Sequence, residues 1–87
     1  MPRVLIGKIQ APEKVLPKTP FKIIWDIWYL GWPFKKTNIL SSMEWDNEII
    51  TKMYPIRIWF IGRMTQIAHI SGIENDTIFT ISVGWRD

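Results

Sequence analysis

The segment from Phe21 to Leu30 constrains the fold more than any other part of the sequence, because its side chains alternate with a period of two residues. Its odd-numbered positions carry Phe21, Ile23, Trp25, Ile27 and Tyr29. A β-strand directs residues i, i+2 and i+4 to one side, whereas a helix would distribute them around its circumference. The pattern therefore predicts a β-strand whose odd-numbered face contributes to a core.

Isoleucine and tryptophan extend this expectation to the rest of the chain. Sixteen of the 87 residues are isoleucine and six are tryptophan. Isoleucine is restricted at its first side-chain torsion angle and suits a pleated sheet better than a helix. The chain has no cysteine, so neither disulfides nor thiolate metal ligands can stabilise it. We therefore expect buried aromatic and β-branched side chains to form the core.

Turn-forming residues divide the remainder of the chain into further predicted strands. These cover residues 4–9, 37–45, 48–54, 56–64 and 77–85, and residues 65–71 continue or pair with the fourth of them. Gly7 is a predicted bulge in the first strand. Three prolines between residues 11 and 20 exclude a helix there.

Residues 43–53 admit two interpretations. In the first, the segment is part of a hairpin that turns at Asp46 and Asn47, a favourable turn pair. In the second, it is a short helix, because Ser41 and Glu44 have the spacing of a capping box. The β-branched run at residues 49–51 favours the hairpin.

The predicted fold is an all-β single domain over residues 1–87, an immunoglobulin-like β-sandwich of about six to seven strands. A small β-barrel, or a sandwich with one short helix near residues 43–53, is the alternative. Residues 11–31 carry a proline-containing edge segment, a turn and a long alternating strand that ends near a glycine. They resemble the opening of bacterial and archaeal immunoglobulin-like domains of the cell-adhesion-related (CARDB-like) type, and residues 79–85 resemble their closing strand.

That resemblance implies a sandwich without catalytic residues. The glycine usual in the first turn of such domains is replaced by Lys18-Thr19, and the Cys-Trp-Cys arrangement of antibody domains is absent.

The sequence contains no motif that predicts a catalytic, cofactor-binding or metal site. His69 is the only histidine, and the chain has no cysteine and no nearby Ser-Asp arrangement that would complete a nucleophilic triad. A zinc site would need several nitrogen or sulfur ligands, which the sequence lacks. Glu44, Asp46 and Glu48 would share one face of a straight strand, but a turn at residue 46 would separate them. We therefore expect a non-enzymatic protein without cofactors.

Large apolar side chains also occur on faces predicted to point away from the core. In the strand at 56–64, alternation directs Ile56, Ile58, Phe60 and Met64 inward and the intervening residues outward. Either loops such as residues 31–34 cover the outward faces, or another chain does. Because tryptophan and arginine are enriched at binding hot spots, we predict an interface. Its members are Ile24, Trp28, Leu30, Trp32, Arg57, Trp59, Ile61 and Arg63.

Three classes of function fit this pattern. The first is a structural or assembly protein that docks onto copies of itself or onto a larger shell, for example a virion decoration, minor capsid or fibre component. The second is a carbohydrate-binding module with an exposed tryptophan. The third is a single-stranded nucleic-acid-binding domain that uses Arg57, Trp59 and Arg63. The first is favoured because the net charge is only +3 and the basic residues are scattered.

The amino terminus has no hydrophobic stretch long enough for a secretory signal, and no segment is apolar enough to span a membrane. A cytoplasmic or virion-associated location is expected.

Overall fold

The computed structural model describes residues 2–31 and 36–86, which form six β-strands. They are β1 (Arg3–Gln10), β2 (Phe21–Gly31), β3 (Lys36–Trp45), β4 (Glu48–Arg57), β5 (Phe60–Ile70) and β6 (Thr80–Arg86). The first sheet has the order β1-β2-β5 and the second the order β4-β3-β6, and all neighbours are antiparallel. The chain is thus all-β and sandwich-like, as predicted. The two sheets do not close into one, so the barrel alternative was wrong.

The core lies between the facing sides of the two sheets. Its buried apolar members are Ile23, Trp25, Ile27, Ile39, Met43, Ile58, Ala68 and Ile70. The predicted odd-numbered face of β2 points into this core, with Phe21 and Tyr29 half-buried at its ends. Because each fully buried isoleucine stabilises the folded state by about 2 kcal/mol, this row contributes strongly to the sandwich.

Residues 43–53 form the predicted hairpin, so the helical alternative was wrong. Asp46 and Asn47 both have positive φ angles, of 41° and 65°. Positive φ at both central residues defines the tight turn whose twist matches that of paired strands. The register places Trp45 opposite Glu48, which makes this a two-residue connection.

The chain crosses from the second sheet to the first near residue 58, and this corrects the strand predicted over residues 56–64. β4 ends at Arg57 and β5 begins at Phe60. Ile58 is buried, as predicted, but Phe60 is 59% exposed, so its assignment to the core was wrong. Phe60 has a φ of 67°, and Ile61 N donates a hydrogen bond of 2.8 Å to Trp59 O across it, so the chain turns tightly at Phe60 and its side chain alone leaves the inward row.

The last strand begins later than the sequence indicates, at Thr80 instead of Thr77. Residues 71–79 are irregular. Their position is fixed by a backbone hydrogen bond of 2.9 Å from Lys18 to Ile73 and an ion pair of 3.3 Å between Lys18 and Glu74. Alternate residues of β6 face inward, since Ile81, Val83 and Trp85 pack against the core.

Candidate functional site

The outward sides of the two sheets differ in chemistry. The second sheet directs mainly polar and charged side chains outward, including Asn38, Ser42, Thr51, Thr80 and Ser82, and its apolar outward members are Leu40, Ile49, Met53 and Pro55. The first sheet directs large apolar side chains outward. We define its outer apolar face as Leu5, Ile24, Trp28, Leu30, Ile61 and Ile67. A solvated sheet side normally carries polar residues, and the outer side of the first sheet departs from this pattern more than that of the second.

Strand register places the members of the outer apolar face in adjacent rows. Leu5 lies opposite Trp28 across the β1–β2 pair, and Leu30 lies opposite Ile61 across the β2–β5 pair. These two rows form one continuous apolar area. Paired residues on the same face have Cβ atoms roughly 5 Å apart, so these side chains contact one another directly.

Trp28 lies at the centre of this area. Its indole fills the space left by Gly7, where an added Cβ would lie only 2.9 Å from the ring. The register of β1 with β2 shifts between Ile6 and Ile9, the interval that contains Gly7, where a bulge is predicted. From the other side, the Arg63 guanidinium lies 5.4 Å from the indole centroid, a cation–π geometry. The indole is therefore held in place while remaining 37% exposed.

A polar pair separates the remaining row of the outer apolar face from this area. Asp26 Oδ1 accepts a hydrogen bond of 2.9 Å from Thr65 Oγ1. Beyond this pair, Ile24 lies opposite Ile67. The face thus combines two apolar areas with a satisfied polar pair between them, a mixture typical of protein interfaces.

The structure brings together five of the eight residues predicted to form an interface: Ile24, Trp28, Leu30, Ile61 and Arg63. Arg57 lies opposite Lys36 on the outer side of the second sheet. Trp59 is in the connection between β4 and β5 and is 66% exposed. Trp32 lies outside the described residues.

Sequence analysis missed Leu5 and Ile67 as members of this face. Alternation along β5 would have identified Ile67, since it shares the parity of Ile61 and Arg63. Leu5 could be assigned only from its pairing with Trp28, because the bulge interrupts alternation in β1.

A cleft of about 720 Å³ opens between the end of β1 and the start of β6. Its walls include Ile9, Phe21, Ile23, Phe79 and Ile81. The Phe21 and Phe79 rings, both in its wall, meet edge to face with their centroids 6.0 Å apart. The lining also includes polar and charged residues, among them Glu74, whose carboxylate is paired with Lys18.

The ionisable residues considered as candidates for catalysis or metal binding do not lie together. His69 is exposed on the outer side of β5, opposite Lys22. Asp46 lies in the hairpin turn, where its carboxylate accepts a hydrogen bond of 3.4 Å from Thr77. Within residues 2–31 and 36–86, no three histidine, aspartate or glutamate side chains gather to hold a metal ion.

No family model, curated protein or solved structure matches the chain. In the part of the chain that the structure describes, no helical segment meets the length and hydrophobicity needed to traverse a bilayer. The exposed apolar residues are consistent with a surface for interaction.

Proposed function

We propose that this chain is a non-catalytic structural protein that docks through its outer apolar face onto copies of itself or onto a larger protein shell. The observation that carries the proposal is the contiguous area formed by Leu5, Trp28, Leu30 and Ile61, with Arg63 stacked on the tryptophan. Contiguous exposed apolar areas on small domains mark contact surfaces.

The arrangement around Trp28 suits a binding hot spot. Hot spots are enriched in tryptophan and arginine, and they lie centrally within a ring of less critical contacts. Trp28 and Arg63 are already in contact, so little side-chain freedom remains to be lost on binding. A partner would cover the indole edge and the neighbouring Leu30 and Ile61 together.

The order of the strands supports an immunoglobulin-like arrangement for the sandwich. In that arrangement the first sheet contains strands A, B and E, and the second contains C′, C and F. The orders β1-β2-β5 and β4-β3-β6 fit these positions in sequence. The finer resemblance to CARDB-like domains belongs to the same proposal.

A virion decoration, minor capsid or fibre component is the particular form of this function that we propose. Such a component requires a stable small fold and an apolar contact surface, and it requires no catalytic group. The buried apolar core between the sheets and the outer apolar face fit these two requirements.

The two alternative functions have less support. A sugar ring would need an open indole face, but Gly7 and Arg63 contact the indole of Trp28. A nucleic-acid platform would need Arg57 and Arg63 on one side, but they lie on the outer sides of different sheets. Among the described tryptophans, Trp59 is the most exposed, at 66%, and is the one on which a sugar ring could stack.

The proposal is tested by comparing Trp28→Ser with Met53→Ser. Met53 is an exposed apolar residue on the outer side of the second sheet, so it is the matched control. We expect Trp28→Ser to reduce self-association or shell binding strongly, and Met53→Ser to leave it unchanged, with both variants folded. Sedimentation velocity up to millimolar concentration measures this. Equal loss in both variants would contradict the proposal, and a wild-type chain that never associates would contradict docking onto copies of itself.

A further inference from the structure

Three of the four edge strands carry features that discourage pairing with another chain. β1 has a register shift between Ile6 and Ile9. β4 contains Pro55, which lacks a backbone N–H. β6 has only seven residues, and β1 approaches it from the other sheet. Bulges, prolines and short length are the usual protections of sheet edges.

β5 has none of these protections. It has eleven residues without lysine or proline, and its pairing with β2 is continuous from Ile70 to Phe60. Among the described strands, β2 alone pairs with β5. A long, regular edge presents a row of backbone donors and acceptors that another strand can complete.

We infer that two copies of the chain pair their β5 strands antiparallel about a two-fold axis at Thr65. Residues directly opposite in an antiparallel pair must share a face. This condition is met only when the two-fold axis passes between the two copies of one residue, which then lie directly opposite each other. Thr65 is the central residue of β5, so an axis at Thr65 gives the longest overlap of the two strands. Such a pairing is self-complementary and closes at two copies.

The charges on β5 are compatible with this register. Arg63 lies opposite Ile67 of the second copy, and Ile61 lies opposite His69 of the second copy. The two Arg63 positions are then four residues apart along the strands, roughly 13 Å. This exceeds the screening length at physiological ionic strength, so their repulsion is small.

The paired dimer would have one six-stranded sheet with the order β1-β2-β5-β5-β2-β1. Its outer side would join the two outer apolar faces through Ile61 and Ile67, which belong to β5 itself. The inference does not depend on the proposed function, because backbone pairing of β5 does not require Trp28.

A charge series at Ile67 tests the register. Ile67 is 45% exposed, so Ile67→Glu, Ile67→Gln and Ile67→Arg are compatible with a folded monomer. In the dimer, residue 67 of each copy lies opposite Arg63 of the other copy, so the interface contains this pair two times. We expect the Glu variant to dimerise about three- to thirtyfold more tightly than the Gln variant, and the Arg variant to be weaker by a similar factor. Sedimentation equilibrium measures the dissociation constants.

The same series at Ile49, an exposed residue on the outer side of the second sheet, is the control. No dependence on the sign of the charge at residue 67, an equal dependence at residue 49, or a monomeric wild-type chain would overturn the inference.

Cysteine crosslinking provides a second test, because the chain has no cysteine of its own. Directly opposite residues in antiparallel strands have Cα separations of roughly 4.5 to 5.5 Å, within the range that a disulfide spans. We expect Thr65→Cys to form a disulfide-linked dimer at least tenfold faster than Ser82→Cys, which places the thiol on the β6 edge.

Equal rates of disulfide formation by the Thr65→Cys and Ser82→Cys variants would overturn the inference. The Thr65→Cys crosslink should persist when Trp28→Ser is added. A crosslink in a chain whose higher assembly is unaffected by Trp28→Ser would contradict the proposed function alone. Assembly that is lost on Trp28→Ser without any Thr65→Cys crosslink would contradict the β5 pairing alone.

Discussion

The indole Nε1 of Trp25 donates a hydrogen bond of 3.0 Å to Oγ of Ser41, and this bond joins the two sheets inside the core. Trp25 belongs to β2 and Ser41 to β3, and both are buried. Within the described residues, every buried side-chain nitrogen and oxygen atom has a hydrogen-bond partner. The bond therefore fixes one sheet on the other without leaving a polar group unsatisfied.

Removing the acceptor, Ser41 Oγ, tests how much this hydrogen bond contributes to stability. Ser41→Ala leaves the indole N–H buried without a partner, so we expect the free energy of unfolding to fall by about 1–3 kcal/mol. The control is Ser42→Ala, because Ser42 is the next residue, points outward and shares an exposed hydrogen bond with Thr51. It should cost less than about 0.5 kcal/mol. Urea denaturation of both variants measures the difference, and equal costs would contradict the assignment.

Two glycines should respond in opposite ways to alanine. A Cβ at Gly62 would lie 2.2 Å from the Tyr29 ring, whereas a Cβ at Gly84 has no atom within 4 Å. We expect Gly62→Ala to destabilise the fold by at least about 1 kcal/mol, since the ring must move. Gly84→Ala should be neutral or stabilise by up to about 1 kcal/mol, because glycine loses more backbone freedom on folding. Thermal unfolding of both variants would show whether the order holds.

The hairpin turn yields a prediction based on backbone conformation. Asn47 has a φ of 65°, which glycine adopts freely and alanine does not. Asn47→Gly should preserve or slightly increase stability, and Asn47→Ala should cost roughly 1 kcal/mol. Thr51→Ala, farther along β4, is the control for a small polar residue in the same hairpin. If the alanine and glycine variants at residue 47 unfold at the same denaturant concentration, the turn has another geometry.

The parts of the fold that could be predicted from the sequence depend on local pattern. The alternation of β2 and the turn residues at 46–47 specify strand direction and hairpin register without reference to distant residues. The crossing from the second sheet to the first could not be predicted. It depends on the positive φ of Phe60, a bulky residue for which that conformation is rare.

The candidate site follows the same division. Alternation identified Trp28, Leu30 and Ile61 as pointing away from the core, but not which of them are neighbours. Which of them are neighbours follows from the pairing of β2 with β5, in which Leu30 meets Ile61 and Trp28 meets Arg63 although the two strands are far apart in sequence. Alternation also could not show that Arg57 and Arg63 are separated, because the chain changes from the second sheet to the first between them.

Neighbouring residues 78 and 79 allow the last prediction, which concerns the cleft side of the sandwich. Phe79 is half-buried and packs on Phe21 at 6.0 Å and on Trp45 at 5.5 Å between ring centroids. Ile78 is 86% exposed. Each aromatic pair contributes about 0.5–1.5 kcal/mol beyond burial, so Phe79→Ala should reduce the free energy of unfolding by roughly 2–4 kcal/mol.

Ile78→Ala should change the free energy of unfolding by less than about 0.5 kcal/mol, because the exposed side chain of Ile78 loses almost no contact. Chemical denaturation of the two variants measures both values. A large cost at residue 78 together with a small cost at residue 79 would mean that β6 enters the second sheet with the opposite face directed inward.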